Sequence, residues 1–216
     1  GLGGLQKDEA RRRLGIPADV PGMLIFGGSQ EVKRFNEAVS DAIADLVERC
    51  SVVHIAGSGG IEAAEADRAR LPVDRQDRYR PFSFLAEDMS AALRAADLVV
   101  GRAGASTLSE TAAAGVPMVV VPYPHAAAHQ RANAAEMVDA GAAILVDDEH
   151  LDGGTLREAA DLLYDGPLTT MSAAAHRVGR PGSAAAGAWL LEILAAGGPL
   201  PTQDEIDAVT RSEQPS

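Results

Sequence analysis

The clearest indication of fold class is residues 98–124, LVVGRAGASTLSETAAAGVPMVVVPYP. A short apolar run at 98–100 predicts a buried strand. A helical pattern over 106–114 ends at a glycine, and a second apolar run at 118–121 lies between two prolines. A strand, a helix and a strand of these lengths predict a βαβ unit, whose two strands are parallel.

The same alternation continues along the whole chain. Predicted strands cover residues 23–26, 51–56, 79–85, 98–100, 118–121 and 143–146. Predicted helices cover residues 7–15, 35–47, 89–96, 106–114, 129–140, 155–163, 168–176 and 184–195, with one more beginning at about residue 61. Six strands alternating with helices predict a single α/β domain, a doubly wound parallel sheet with helices on both faces. Ligands of such sheets bind beyond the carboxyl ends of the strands, so the residues that follow each strand are the candidates for a site.

Length and composition fit one such domain with short additions at both ends. The chain has 216 residues, of which 46% are hydrophobic and only 4% aromatic, as suits small-residue helices packed on a sheet. We expect a linker and a short helix at 1–20 and the domain at 21–196. Residues 197–216 are Pro-rich and polar, and predict a flexible tail.

Charge and cysteine content exclude several classes of protein. The net charge of −12 repels phosphate backbones and anionic lipid headgroups, so we expect no nucleic-acid partner. The only cysteine, Cys50, excludes an intrachain disulfide and fits a reducing compartment. The sequence shows neither an apolar run of membrane-spanning length nor a signal-peptide pattern, and predicts a soluble cytoplasmic protein.

A first candidate site, Gly27, Gly28, Ser29 and Gln30, follows the first strand. The glycines allow the backbone to approach a ligand closely, and Ser29 can donate its hydroxyl to a phosphate oxygen. The alternative is a strand-to-helix turn in which Ser29 caps the next helix. These four residues alone do not separate the two interpretations.

A second candidate site follows the fourth strand, where Gly104, Ala105, Ser106 and Thr107 open a helix. Free backbone N–H groups and the helix dipole attract an anion at such a position. Arg102 can add a positive charge, and the two hydroxyls can add donors. The spacing matches neither the dinucleotide fingerprint nor the P-loop.

Glu110 has two interpretations. Thr107-x-x-Glu110 is the pattern of a capping box, in which the glutamate accepts a hydrogen bond from the backbone at the helix start. Alternatively, the carboxylate accepts hydrogen bonds from the two hydroxyls of a ribose. The local sequence favours capping.

A third polar set, His125, His129, Gln130 and Asn133, follows the fifth strand. The last three lie at helical spacing and can bind sugar hydroxyls. The alternative interpretation is that the histidines have no function. His125 and His129 also have the spacing of zinc ligands, but no third ligand is near in the sequence, so a metal is not expected.

Aromatic residues follow the third strand, where one of Phe82 and Phe84 is expected in the core and the other can cover a planar base. His54, in the middle of a strand, is expected to be structural. The sequence shows no Ser/His/Asp order, reactive cysteine or close carboxylate pair. It therefore predicts a pocket for a phosphate-bearing molecule with a sugar-like end, and little to transform that molecule.

Three motifs together resemble the C-terminal domain of the MurG family: GGSQ at 27–30, the segment at 101–124, and HQRANA at 129–134. Members of that family are inverting N-acetylglucosaminyltransferases of the GT-B fold that convert lipid I to lipid II in peptidoglycan synthesis. The resemblance extends from about residue 14 to residue 194. It implies a Rossmann-like domain, the C-terminal half of a GT-B hexosyltransferase, which binds the donor UDP-N-acetylglucosamine.

The resemblance also implies roles for single residues. Glu110 would bind the ribose instead of capping the helix. Residues 105–107 together with Ser29 would bind the diphosphate, and the strand end at Leu85 would bind the uracil. The full implied donor-binding set is Gly28, Ser29, Gln30, Phe84, Leu85, Arg102, Gly104, Ala105, Ser106, Thr107, Glu110, His129, Gln130 and Asn133. No metal or other cofactor is expected, because the helix dipole and hydroxyls take the diphosphate charge.

One departure from the family is large. The sequence lacks the family's N-terminal glycine-rich loop with its proposed basic histidine, its acceptor site and its membrane-contacting patch. We therefore expect a donor-binding half that is inactive by itself and reaches a lipid-linked acceptor through a missing N-terminal domain or a partner subunit, at the inner face of the cell membrane. Two alternatives stay open: a stand-alone nucleotide-sugar-binding module, or another GT-B-like UDP-sugar enzyme such as an epimerase or a glycosyltransferase with a different lipid acceptor.

Overall fold

A computed structural model describes residues 5–28, 32–85, 88–124 and 127–212. The strands are β1 Gly22–Phe26, β2 Ser51–Ile55, β3 Tyr79–Phe82, β4 Leu98–Arg102, β5 Met118–Val121 and β6 Ala143–Leu145. The α-helices of these described residues are α1 Lys7–Leu14, α2 Lys33–Arg49, α3 Ile61–Arg70, α4 Met89–Ala95, α5 Ala105–Ala113, α6 Ala127–Asp139, α7 Gly153–Asp161, α8 Pro167–Val178, α9 Ser183–Ala196 and α10 Gln203–Arg211.

The strands form one parallel sheet in the order β3-β2-β1-β4-β5-β6. At the centre of the sheet, Phe26 of β1 pairs with Ile55 of β2 on one side and with Gly101 of β4 on the other. The chain builds the sheet outward from β1 in one direction, and then returns to β4 to build it in the other. This reversal between β1 and β4 confirms the predicted doubly wound architecture.

Helices cover both faces of the sheet, which explains why β1, β4 and β5 are buried along their whole length. One face packs against α1, α4, α5, α6 and α8, and the other against α2, α3 and α7. Alanines supply much of the helical side of the first core, for example Ala92, Ala112 and Ala175. Small side chains allow these helices to lie close to the sheet, as the alanine-rich and aromatic-poor composition indicates.

Two strand ends differ from the sequence prediction. β3 ends at Phe82, three residues earlier than predicted, and the chain bends at Ser83. β4 continues through Gly101 to Arg102, because these residues pair with Val120 and Val121 of β5. The longer β4 carries Arg102 to the edge of the sheet, directly before the helix that was expected to bind an anion.

The short helix predicted together with a linker at 1–20 is present as α1, and it shares the core of the domain. Ala10 and Leu14 of α1 are buried in the same cluster as α4. Arg11 is also buried, and its guanidinium donates to the carbonyl oxygen of Ala95 at 3.2 Å and to the carboxylate of Asp97 at 2.6 Å. α1 is therefore fixed to the sheet by packing and by a partly buried ion pair.

The segment predicted as a tail contains a helix that the sequence analysis missed. α10 begins with a capping box between Thr202 and Glu205 and packs against α9. The flexibility of residues 197–216 stays a prediction. Among the residues that the structure describes, no helix combines the length and the apolarity needed to cross a bilayer.

A buried polar chain stabilises the sheet beside α2. The Asn36 side chain donates to the carbonyl oxygen of Ala56 at 2.9 Å, so its amide oxygen accepts from His54 Nε2 at 3.0 Å. His54 Nδ1 then accepts from the Tyr79 hydroxyl at 2.9 Å. Burial lowers the pKa of His54 to about 4 and raises the pKa of Tyr79. His54 is thus held neutral, in the structural role that the sequence predicted.

Candidate functional site

A cleft of about 290 Å³ opens at the carboxyl ends of β1, β4 and β5. It lies where the strand order reverses, the position at which doubly wound sheets bind ligands. Its lining residues are Gly27, Gly28, Arg102, Gly104, Ser106, Thr107, Tyr123 and Gln130. The two glycines of the first predicted site, most of the second site and one residue of the third therefore meet in one cleft.

The glycines after β1 form one wall of the cleft. Gly28 has a φ of +76°, and a Cβ built on it would have no neighbour within 4 Å. Glycine is needed at this position because of its left-handed backbone and not because of crowding. A Cβ on Gly27 would lie only 3.0 Å from the Val32 side chain. Ser29 and Gln30 lie outside the described residues, so their roles stay predictions.

The opposite wall is the N-terminus of α5. Its N-cap is Gly104, which makes no side-chain hydrogen bond, and the first turn closes with the Leu108 N–H on the Gly104 carbonyl oxygen. The backbone N–H groups of residues 105–107 therefore point out of the helix without an intrahelical partner. The hydroxyls of Ser106 and Thr107 make no hydrogen bond within the described part of the chain and border the cleft. This wall can donate several hydrogen bonds to an anion, with the helix dipole in support.

Glu110 is exposed one helical turn after Ser106, on the same side of α5. The capping box that the local sequence favours does not form, because the helix begins at Ala105 and Gly104 occupies the cap position. Among the described residues, no hydrogen bond or ion pair uses its carboxylate. An acceptor without a partner beside an anion site is suited to the hydroxyls of a sugar.

Arg102 is buried beneath the cleft and is not a surface residue. It is 5% exposed, and its Nη1 donates to the Asp148 carboxylate at 2.5 Å and to the Pro122 carbonyl oxygen at 3.3 Å. Its guanidinium carbon lies 5.0 Å from the centre of the Phe35 ring and 5.4 Å from that of Tyr123. The predicted positive charge therefore lies beneath the cleft, close to two aromatic rings and beside a carboxylate.

The residues of α6 divide into two groups. Gln130 lines the cleft, where its amide oxygen accepts from the Tyr123 backbone N–H at 2.7 Å and its NH₂ group has no partner among the described residues. Asn133 donates to the Ala103 carbonyl oxygen at 3.4 Å and borders a different cavity, between α5 and α6. His129 is exposed and does not line the cleft. Only Gln130 of the predicted α6 set is thus brought to the cleft.

The strand end at Phe84 and Leu85 lies at the other side of β1. Phe84 is 76% exposed, whereas Leu85 is buried in the core. Phe82 is the aromatic that packs against the core, so Phe84 is the one left to meet a ligand. Neither Phe84 nor Leu85 lines the cleft, because β3 is the edge strand, two positions away from β1.

The sequence does not favour a zinc site, and of its two suitably spaced histidines only His129 is among the described residues. Within residues 5–28, 32–85, 88–124 and 127–212, no group of three or more His, Cys, Asp or Glu side chains could hold a metal ion. His125 lies outside these ranges.

Two residues of this region, Tyr123 and Asp148, were not predicted from the sequence. Tyr123 stands between Pro122 and Pro124 in the segment that precedes the third predicted polar set. Asp148 is the second residue of an Asp-Asp pair that begins two residues after β6, at the same edge of the sheet as the rest of the site. The rule that ligands bind beyond strand ends could have selected it.

Comparisons with known proteins agree with this architecture. A model of the glycosyltransferase family 28 C-terminal domain matches residues 23–185. A relative in Chlorobium limicola, named UDP-N-acetylglucosamine–N-acetylmuramyl-(pentapeptide) pyrophosphoryl-undecaprenol N-acetylglucosamine transferase, is 38% identical over 181 residues, 82% of this chain and 48% of the relative. A relative of the same name in Mycolicibacterium smegmatis is 39% identical over 180 residues, 82% of this chain and 45% of the relative. The chain thus spans about half the length of these curated relatives.

Solved structures show the same relationship. The crystal structure of Acinetobacter baumannii MurG superposes with a TM-score of 0.64 at 31% identity, over 94% of this chain and 53% of that one. A UDP-N-acetylglucosamine 2-epimerase structure from Listeria monocytogenes has a TM-score of 0.62 at 19% identity over 84% of this chain and 47% of that one, a likeness of fold alone. The sheet topology, the matching family model and the relatives together show that this chain belongs to glycosyltransferase family 28 and contains the C-terminal domain of that family.

Proposed function

We propose that this chain is the donor-binding half of a glycosyltransferase that transfers N-acetylglucosamine from UDP-N-acetylglucosamine to lipid I, which gives lipid II. The observation that carries the proposal is the open N-terminus of α5 at the reversal point of the sheet, with the unpaired carboxylate of Glu110 one turn further on. The names of the relatives supply the chemical identity of donor and acceptor.

The donor fits the cleft in parts. The diphosphate meets the N–H groups and hydroxyls of residues 105–107, and Gly28 lets it approach the backbone after β1. The ribose hydroxyls donate to Glu110. The free NH₂ group of Gln130 faces the sugar, with His129 and Asn133 on the same helix.

The nucleobase is the part of the donor for which the described cleft has the fewest binding groups. We assign it to the chain after β3, where the exposed Phe84 ring can cover a planar base and the backbone at Leu85 can read its edge. The base would extend from the cleft across the end of β1 toward β3.

The described residues bind and orient the donor but offer no base for the acceptor hydroxyl. When the bond to the sugar breaks, negative charge grows on the diphosphate, and the N-terminus of α5 stabilises that charge. We therefore propose that the acceptor and its base belong to an N-terminal domain or partner subunit, and that the complete enzyme works at the cytoplasmic face of the membrane.

Isothermal titration calorimetry with UDP-N-acetylglucosamine tests the donor assignment. We expect Glu110→Ala to weaken binding by roughly 1.5–3 kcal/mol, the value of hydrogen bonds to a charged group. Glu158→Gln, which removes an exposed carboxylate from α7 on the opposite face of the sheet, is the control and should bind as the unmodified chain does. If the unmodified chain does not bind the donor at millimolar concentration, the proposal is wrong.

A reconstitution assay separates the proposed enzyme from its alternatives. The chain is mixed with a separately produced N-terminal half of a family member, lipid I and the labelled donor. Labelled lipid II supports the glycosyltransferase. Labelled UDP-sugar epimerised at C2 would support an epimerase instead, and donor binding without any product would support a binding module.

A further inference from the structure

A carboxylate shared by two arginines lies beneath the donor cleft. Asp148 Oδ1 accepts from Arg102 Nη1 at 2.5 Å, and Asp148 Oδ2 forms an ion pair with Arg34, whose Nε lies 3.0 Å away. The Asp148 side chain is only 14% exposed. We refer to these three residues as the Arg34–Asp148–Arg102 cluster. It joins the start of α2, the end of β4 and the turn after β6 at one edge of the sheet.

The cluster has more hydrogen-bond donors than acceptors. Nε of Arg102 is buried and has no hydrogen-bond partner among the described residues. The Phe35 and Tyr123 rings near the guanidinium offer it π-electron density. Asp148 thus satisfies only part of Arg102.

The charges of the cluster do not balance, since two guanidinium groups share a single carboxylate. The cluster keeps a net positive charge in a chain whose net charge is −12. Arg102 borders the cleft in which the donor diphosphate is proposed to bind. A diphosphate placed there would be attracted by both arginines and repelled by Asp148.

We propose that Asp148 is an internal counter-ion that competes with the diphosphate for Arg102 and Arg34, and so limits how tightly the cleft holds a nucleoside diphosphate. This inference rests on the proposed function. When the cleft is empty, Asp148 compensates the buried charge of Arg102, which would be costly to leave alone. When a diphosphate is bound, the same carboxylate weakens the attraction, which favours release of UDP after transfer.

The test is the affinity of the full 216-residue chain for UDP, measured by calorimetry at low and high ionic strength. Asp148→Asn keeps an oxygen that can accept from Arg102 but removes the negative charge. We expect this variant to bind UDP roughly three- to tenfold more tightly than the unmodified chain, with a gain that shrinks as salt is added.

The adjacent residue provides a matched control. Asp147 forms an ion pair with Arg131 at a more exposed position, so Asp147→Asn makes the same change in charge without touching Arg102. We expect its UDP affinity to stay within about twofold of the unmodified chain, because exposed charges are screened. If Asp148→Asn binds UDP no more tightly than Asp147→Asn, the inference is wrong, and weaker binding would make Asp148 a positioning residue instead.

A second pair of variants covers the case in which Asp148→Asn does not fold. Arg34 is 45% exposed, so Arg34→Gln should fold, and we expect it to bind UDP roughly threefold more weakly because one attracting charge is lost. Arg49→Gln, at the other end of α2 and paired with Asp161, is the control. Equal affinities of these two variants would overturn the inference. If the unmodified chain fails to bind UDP, the proposed function fails and the inference with it, whereas binding that neither variant alters contradicts the inference alone.

Discussion

Two helices of this chain begin near a Thr-x-x-Glu sequence, and the structure uses the two copies in opposite ways. At α10, Thr202 is the N-cap, and its backbone N–H donates to the Glu205 carboxylate at 2.7 Å. At α5 the N-cap is Gly104, so Thr107 lies inside the first turn and Glu110 on the next. Within the described residues, the side chains of Thr107 and Glu110 make no hydrogen bond.

The difference shows that the same four residues cap a helix or leave it open, depending on where the helix begins. β4 continues to Arg102, and α5 follows after only two residues, which places a glycine at the cap. A glycine cap satisfies none of the first N–H groups, at a cost of a few tenths of a kcal/mol relative to a capping side chain. The open donors are what an anion needs. Polar groups that are satisfied inside the protein indicate structure, and groups left unsatisfied at a strand end indicate binding.

The buried side chains of His54, Asn36 and Tyr79 are polar groups that all have hydrogen-bond partners inside the protein. The largest effect that we predict is the dependence of stability on pH that follows from the burial of His54. Burial lowers the pKa of His54 to about 4, whereas its unfolded value is near 6.5. Between these values the unfolded state binds a proton that the folded state does not. The free energy of unfolding should therefore fall by up to about 3 kcal/mol as the pH drops from 6.5 to 4. Above pH 6.5 this contribution of His54 to stability is fully present.

Urea unfolding at several pH values measures this effect. His54→Gln has no titrating ring, so its stability should be lower at pH 7 but depend less on pH in this range. His150→Gln removes an exposed histidine and should keep the full pH dependence of the unmodified chain. Parallel curves for the unmodified chain and His54→Gln would contradict a neutral, buried His54.

The two threonines give a crossed prediction of smaller size. Thr202→Ala should lower the free energy of unfolding by about 1 kcal/mol, because a capping side chain is lost. Thr107→Ala should instead lower the affinity for UDP about fivefold, or about 1 kcal/mol, because one donor to the diphosphate is lost. Thermal denaturation and calorimetry on both variants measure the two effects. A stability loss for Thr107→Ala comparable with that of Thr202→Ala would show that α5 is capped in solution.

The architecture could be predicted from the sequence because each strand is an apolar run with a turn signal after it. All six strands were found, and the errors lie at their ends. Leu85 follows the end of β3 by three residues, yet its side chain is still buried in the core. Burial alone therefore suggests a longer strand than the backbone forms. α10 was missed because prolines and polar residues precede it, although Thr202 and Glu205 carry a complete capping signature.

The candidate site was only partly predictable, since local sequence does not show which polar groups already have partners. The position of Arg102 near the end of a strand suggests a free positive charge. Its Nη1, however, donates a hydrogen bond to Asp148, which lies 46 residues later in the chain. Asn133 has the helical spacing of a ligand-binding residue, yet it donates to Ala103 beside a different cavity. Both cases depend on contacts between distant segments, which spacing along one helix cannot reveal.

The smallest expected effect is on the pKa of Glu205. Its measurement tests whether the capping box of α10, which α5 lacks, is closed in solution. Hydrogen bonds from the backbone N–H and the hydroxyl of Thr202 hold the pKa of Glu205 below its ordinary value. Because the folded pKa is the lower one, the capping box contributes stability above the unfolded pKa and loses it as the pH falls through the folded one. Carbon-detected NMR titration should find a pKa of Glu205 below the ordinary glutamate value, and Thr202→Ala should raise it toward that value. An unshifted Glu205 in the unmodified chain would mean that the box is open in solution, and the contrast between α10 and α5 would then rest on helix geometry alone.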